Sequence, residues 1–147
     1  MTVFLTGPEL REGLPAVDRR LLRSRAARVL QALSRARSEL SIALVDDATI
    51  ADMNARYRGE SRATDVLSFS LVEGEYADHG GNLLGDVVIS VETAARHARR
   101  AHRGLDAEVA RLLIHGTLHL LGHDHETDDD ARKMRAEERR LWRAIQM

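Results

Sequence analysis

The stretch LLIHGTLHLLGHDH, residues 112–125, holds four of the chain's seven histidines, at positions 115, 119, 123 and 125. From Val109 to Leu121 almost every side chain is apolar, and the leucines and Ile114 point in all directions around a helical wheel. A helix that is apolar on every side is usually buried, so the stretch predicts a core helix. Between Leu112 and Leu121 its only polar side chains are His115, Thr117 and His119. Spaced four apart, the two histidines lie on one face, a turn from each other. Gly122 fits the left-handed residue that commonly ends a helix. Beyond it the chain can fold back and bring His125 to the same point, although the spacing alone also admits His123. Three neutral imidazoles with a fourth position left for water is how a catalytic zinc is commonly held. One histidine in an apolar helix is usually a core residue with its ring nitrogens on backbone partners. Two at this spacing, followed by a glycine and a third within six residues, are not accounted for that way. Asp124 stays open between a ligand, an acceptor for an imidazole N–H and a turn residue.

Working outward, periodicity supplies the other elements. Val3 to Leu5 reads as a short strand. From Leu14 to about Arg37, apolar residues at Val17, Leu21, Leu22, Val29, Leu30 and Leu33 predict an amphipathic helix. Glu39 to Val45 alternates, with Leu40, Ile42 and Leu44 on one face of a half-buried strand. Asp46 or Asp47 can cap a helix running to about Tyr57. Val66–Val72 and Leu83–Ile89 are strand-like runs, separated by a loop with Gly74, Gly80 and Gly81. Ser90 then caps a helix with a small face of Val91, Ala94, Ala98 and Ala101. Asp106 caps the histidine helix, and Glu108 suits its positive end. A last helix from about Asp128 buries Met134, Leu141, Trp142 and Ile145. Strands and helices interspersed around one core helix predict a single α+β domain over 1–147.

Composition sets limits. At 147 residues the chain can bury one core. With no cysteine it has neither disulfides nor a thiolate metal site, and nothing argues for an oxidising compartment. No run reaches the ~18 apolar residues of a membrane span, and MTVFLTGPEL lacks the basic and apolar regions of a signal peptide. The chain is expected to be cytoplasmic, with no membrane partner. Net charge is −1, yet seven arginines and no acid lie between Arg19 and Arg37, and Arg96, Arg99, Arg100 and Arg103 form a second basic group. Such runs suit either a solvated helix face or an RNA-facing surface.

The chemistry narrows further. Zinc proteases with two histidines four apart place a glutamate directly after the first as general base. Here that position is Gly116, which can neither take a proton nor orient water, and this argues against a protease of that class. A metal held by three neutral ligands stays net positive, lowers the pKa of bound water towards ~7 and draws anionic oxygens. That suits a phosphodiester better than an amide. The base stays open between the metal-activated water alone and help from an acid such as Asp86. Gly85 and Asp86 interrupt an apolar strand, which suggests a bulge or close backbone approach. Asp86 could also steady a ligand histidine. Tyr57-Arg58-Gly59 falls in a loop after a helix, where Arg58 by itself reads as a surface residue. Arg62 has no role, Thr64 and Asp65 shape the turn into the next strand, and His79, His97 and His102 read as surface residues.

The run from His115 to His125 resembles the H-x3-H-x5-H signature of the YbeY family, bacterial metal-dependent endoribonucleases. Tyr57–Phe69 (YRGESRATDVLSF) and Leu83–Ser90 (LLGDVVIS) resemble that family's other two blocks, in the same order. The resemblance covers roughly the last two thirds of the chain. It implies a mixed sheet of about four strands surrounded by helices, with the metal helix in the core. It implies one divalent metal ion per chain, taken as zinc, on His115, His119 and His125, with His123 no ligand. Arg58 resembles the family's functional arginine, so Arg58, His115 and His119 are the implied catalytic residues. The implied function is a single-strand-specific endoribonuclease in 3′-end maturation of small-subunit rRNA and in ribosome quality control. Its implied partners are single-stranded RNA and rRNA, the small ribosomal subunit, ribosomal proteins and an assembly GTPase. Two rivals stay open: a hydrolase of another phosphoester, and a ribosome assembly factor with a mainly structural metal. The open fourth position favours an enzyme, since structural zinc normally has four protein ligands.

Overall fold

Alternation in the strands decides which side of the sheet meets the helices. The computed structural model describes residues 3–7, 14–59, 62–70 and 83–146. In chain order these form β1 (Val3–Thr6), α1 (Arg19–Ala32), β2 (Glu39–Val45), α2 (Asp47–Arg58), β3 (Val66–Ser70), β4 (Leu83–Ser90), α3 (Val91–Arg100), α4 (Leu105–Leu120) and α5 (Asp128–Ile145). The sheet runs β1-β2-β4-β3. β1, β2 and β4 are parallel, and β3 lies antiparallel on the β4 edge. This is the expected α+β domain with a four-stranded mixed sheet.

Leu40, Ile42 and Leu44 of β2, with Leu84, Val87 and Ile89 of β4, form one apolar face under α1 and α4. Ala43, Val45, Leu67 and Val88 face the other way, onto Ile50 and Met53 of α2. Helix α4 is apolar all round because it is covered on both sides. Leu112, Leu113 and Leu120 lie on the sheet, while Ala110, Ile114 and Leu118 meet Val29 of α1 and Met134, Leu141 and Ile145 of α5. Gly116 is what lets α4 sit so close. A Cβ there would come 2.7 Å from Val87 Cγ1 and 3.1 Å from Ser68 Oγ. The buried Thr117 hydroxyl donates to the Leu113 carbonyl one turn back, 2.7 Å away, and so leaves no orphaned polar group.

Several local expectations shift. Helix α1 starts at Arg19 rather than near Leu14, because Asp18 accepts from the Leu21 N–H at 3.0 Å as its N-cap. Leu14 and Val17 pack on the core from the lead-in. Asp46 is the cap of α2, and Gly59 ends that helix in the left-handed region at φ 72°. Arg58 is therefore the last helical residue rather than part of a loop. Ser90 caps α3 as expected, but Ala101 lies beyond that helix and is exposed. Asp106 does not cap α4, whose N-cap is Gly104. Its carboxylate instead accepts the Asp18 N–H, 2.9 Å away, and ties the start of α1 to α4. Glu108 is buried, with Oε1 3.5 Å from Arg103 and 3.4 Å from Arg111. In α5 Met134, Leu141 and Ile145 are buried and Trp142 half-buried. The expected extension of β3 to Val72, the glycines at 74, 80 and 81, and His79 lie outside the described residues. Among the described residues no helix is long and apolar enough to cross a membrane.

Candidate active site

One turn of α4 brings the Nε2 atoms of His115 and His119 to 3.1 Å, with the rings at 76° to each other. The helix then closes with a left-handed residue. Gly122, at φ 91°, donates to the His119 carbonyl at 3.1 Å, and the His123 N–H donates to the Leu118 carbonyl at 3.0 Å. This pair of bonds is a Schellman ending, and it reverses the chain. His125 returns to the cluster, with its ring centroid 6.1 Å from that of His115 and 5.6 Å from that of His119. His123 supplies a backbone hydrogen bond to His119, and its charge helps to lower the Glu137 pKa. Asp124 behaves as a turn residue, accepting the Glu126 N–H at 3.3 Å.

The cluster fits a metal in two respects. Ligands on a tetrahedral zinc with bonds of ~2.05 Å lie roughly 3.3 Å apart, close to the separation of the two Nε2 atoms. Burial, followed by the charges of His115 and His125, holds the His119 pKa below its ordinary value and favours the neutral ring that binds metal. Among the described residues, no three histidine, aspartate or glutamate side chains are drawn together as a finished metal cage.

Sequence reading missed the partner of His115. Glu138 of α5 places Oε2 3.3 Å from His115 Nδ1, which leaves Nε2 facing His119. The hydrogen bond with His115 outweighs burial and, with the nearby positive charges, holds the Glu138 carboxyl below the usual range. An ionised carboxylate behind a ligand imidazole fixes its tautomer and orientation. A signal was present in the sequence: Glu138 is one helical turn from Met134 and from Leu141, inside the buried stripe of α5. Asp86 does not have this role. It pairs with Phe69 across the sheet and lines a hollow with Met53, Tyr57 and Val88, on the α2 side. The histidine helix packs on the opposite face, so Asp86 neither steadies a histidine nor serves as base beside them.

His115 and His119 open into a cavity of about 500 Å³ that Arg58, Thr64 and Asp65 also line. Edge strand β3 forms its flank and is stitched to α4 by two hydroxyls. Ser68 Oγ donates to the Gly116 carbonyl at 2.9 Å, and Ser70 Oγ to the Leu120 carbonyl at 3.0 Å. Neither serine was singled out from the sequence. The Arg58 guanidinium donates to the Ser68 carbonyl at 2.8 Å and lies 5.9 Å from the centre of the Phe69 ring. The fold thus brings Arg58 to the same cavity as the two α4 histidines. Thr64 and Asp65 wall the cavity and also shape the turn, since the Asp65 carboxylate accepts the Val66 N–H at 2.8 Å. Of the other histidines, His97 is half-buried with Nδ1 3.7 Å from Asp65, and His102 is exposed.

Fold and site together define a single-domain α+β protein with an imidazole cluster opening onto an arginine-bearing cavity. A family model described as endoribonuclease YbeY matches residues 14–146. An endoribonuclease YbeY from an Anaeromyxobacter species is 54% identical over 144 residues, 98% of this chain and 72% of that protein. One from Anaeromyxobacter dehalogenans is 54% identical over 125 residues. They cover 85% of this chain and 63% of the relative, a little under two thirds of its length. A solution structure of a Thermotoga maritima protein shares the fold at a TM-score of 0.66, with 21% identity, 98% of this chain and 89% of that one covered. The chain belongs to the YbeY endoribonuclease family.

Proposed function

We propose that this chain, an endoribonuclease by family, cuts single-stranded RNA in the cavity between α4 and β3, with one divalent metal ion held by His115, His119 and His125. The observation that carries this reading is the single cavity of about 500 Å³ lined by both α4 histidines and by Arg58. Zinc suits an all-imidazole donor set. When bound, the metal supplies a Lewis acid for a phosphoryl oxygen and lowers the pKa of water. Glu138 keeps the His115 ring in the tautomer that presents Nε2. Arg58, tethered through Ser68 and resting on Phe69, holds the scissile phosphate and meets the charge that develops on it. Gly116 faces the sheet, where a side chain would meet Val87 and Ser68, and so lets α4 seat its histidines close to β3.

The substrate in this reading is rRNA of the small ribosomal subunit near its 3′ end. The chain works in the cytoplasm beside ribosomal proteins and an assembly GTPase, in rRNA maturation and ribosome quality control. The test compares metal-loaded and metal-stripped protein on single-stranded RNA, duplex RNA and a generic phosphodiester. Metal-dependent cleavage of the single strand alone is expected. Activity confined to the generic ester would make the chain a hydrolase of another phosphoester. Ribosome binding that persists without metal and without cleavage would make it an assembly factor.

A further inference from the structure

A second cavity, of about 410 Å³, has in its wall Glu138, the carboxylate that meets His115. Its bed is apolar, formed by Ile114 and Trp142, and Arg103, Arg111, Arg139 and Arg143 surround it. Among the described residues no histidine lines it, so it is separate from the imidazole cluster, yet Glu138 borders both and makes them neighbours. We infer that this Trp142–arginine cavity is a subsite for a nucleotide flanking the cleavage point of single-stranded RNA, with its base on the Trp142 indole and its phosphates on the arginines. This deepens the RNA reading above and rests on it.

Three features support a nucleotide as the occupant. An aromatic face for a base and guanidinium groups for a phosphate are the two parts of a single-strand binding site. The volume falls within the range of small-ligand pockets, about 300–1,000 Å³. The charge is also surplus rather than spent. Arg103 and Arg111 are held by the buried Glu108 carboxylate. Arg139 and Arg143, one turn apart on α5, have no ion pair among the described residues. Glu108 thus anchors one wall while the other keeps two guanidinium groups for a polyanion. A strand crossing the histidines reaches this cavity on passing Glu138, which favours RNA over an unrelated acidic peptide.

Trp142 is the only tryptophan of the chain, so its fluorescence reports this cavity alone. The probe is a single-stranded oligoadenylate with methylated ribose 2′ hydroxyls, titrated into the intact metal-loaded protein. Saturable quenching is expected. The exposed pair Arg139→Ala and Arg143→Ala should raise Kd about tenfold and flatten the log Kd against log salt plot by about 0.7 per lost phosphate contact. Trp142→Leu keeps apolar bulk for the α5 packing but removes the ring. It should also raise Kd about tenfold, read by anisotropy of a labelled strand. Binding without quenching, or an unchanged Kd in the arginine pair, would overturn the subsite. Equal quenching by the matching duplex would overturn base stacking, and equal quenching by polyglutamate would make the cavity a site for acidic polypeptides instead. Failure of the wild type to cut unmodified RNA while quenching persists would overturn the endoribonuclease reading and leave the cavity a single-strand binding site with no cleavage point beside it. Cleavage without quenching would overturn the subsite and leave the endoribonuclease reading standing.

Discussion

His115 uses both ring nitrogens, with Nε2 3.1 Å from His119 and Nδ1 3.3 Å from Glu138. If the cluster holds the metal, purified protein carries about one divalent ion per chain. His115→Ala and His119→Ala should each lose it by elemental analysis and melt at lower temperature, since bound metal stabilises the folded state by mass action. His123→Ala should keep it, because the ring contacts of the cluster run among His115, His119 and His125. Glu138→Ala should fold normally but bind metal about 10–100-fold more weakly in a chelator competition, the usual effect of removing a carboxylate behind a ligand imidazole. An unchanged affinity would reduce Glu138 to a packing residue. Arg58 separates substrate from metal, since a guanidinium does not ligate a cation. Arg58→Ala should leave metal content intact and slow single-turnover cleavage at saturating RNA by roughly 10²-fold. Arg58→Lys should recover only part, lacking the two-pronged contact. A wild-type rate in Arg58→Ala would remove that residue from the reaction.

At the scale of elements, the site depends on how closely α4 and β3 approach. The glycine after His115 reads in sequence as a missing catalytic glutamate, but in the structure it is a contact surface. Helix interiors ordinarily gain about 1 kcal/mol from Gly→Ala. Here the new methyl would meet the rigid, fully buried Val87 at 2.7 Å. Overpacking costs about 1–3 kcal/mol, so Gly116→Ala should lose up to about 2 kcal/mol net rather than gain stability, measured by urea unfolding. It should also strain the Ser68–Gly116 hydrogen bond that holds the cavity flank. An unchanged unfolding midpoint would show that the strand can shift freely. The β4 interruption has a similar basis. Gly85 sits at φ 147° against the Phe69 carbonyl, and the β2–β4 register shifts beside it. Both the bulge and the close approach expected from the sequence are present, whereas the face on which Asp86 emerges was not legible there.

Across the whole molecule, the arginine and the histidines come from opposite sides of the sheet and must be held in register. Asp47 does much of this. Its Oδ1 accepts from Ser90 Oγ and Thr93 Oγ1, each at 2.6 Å, and its Oδ2 meets Arg96 at 2.9 Å. The Asp47 N–H in turn donates to Glu92 at 2.9 Å. The start of α2, the helix that ends in Arg58, is thereby bound to the start of α3, which packs on α4. Burial works against the Asp47 charge, but hydrogen bonds from Ser90, Thr93 and Arg96 lower its pKa below 3.8. A depressed carboxylate pKa contributes stability that is present above the unfolded value and lost as pH falls through the folded one. Asp47→Asn should therefore be less stable than wild type at neutral pH, with the gap narrowing below about pH 4. Chemical unfolding at pH 7 and at pH 3 measures it, and an equal gap at both would assign the effect to packing rather than charge.

The sequence by itself determined what depends on near neighbours. Helical period and apolar content identified α4 as a core helix, two-residue alternation drew β2 to its observed bounds, and Gly122 marked the reversal that carries His125 back. These follow from backbone geometry that neighbouring residues set. Only the tertiary structure decided that Glu138 stands behind His115, that Arg58 opens into the histidine cavity, and that Asp86 lies on the other face. Each depends on residues far apart in the chain, and on the Gly85 bulge and the close seating of Gly116. Packing decides such contacts, and no local period in the sequence encodes which distant side chain will fill the space beside a given ring.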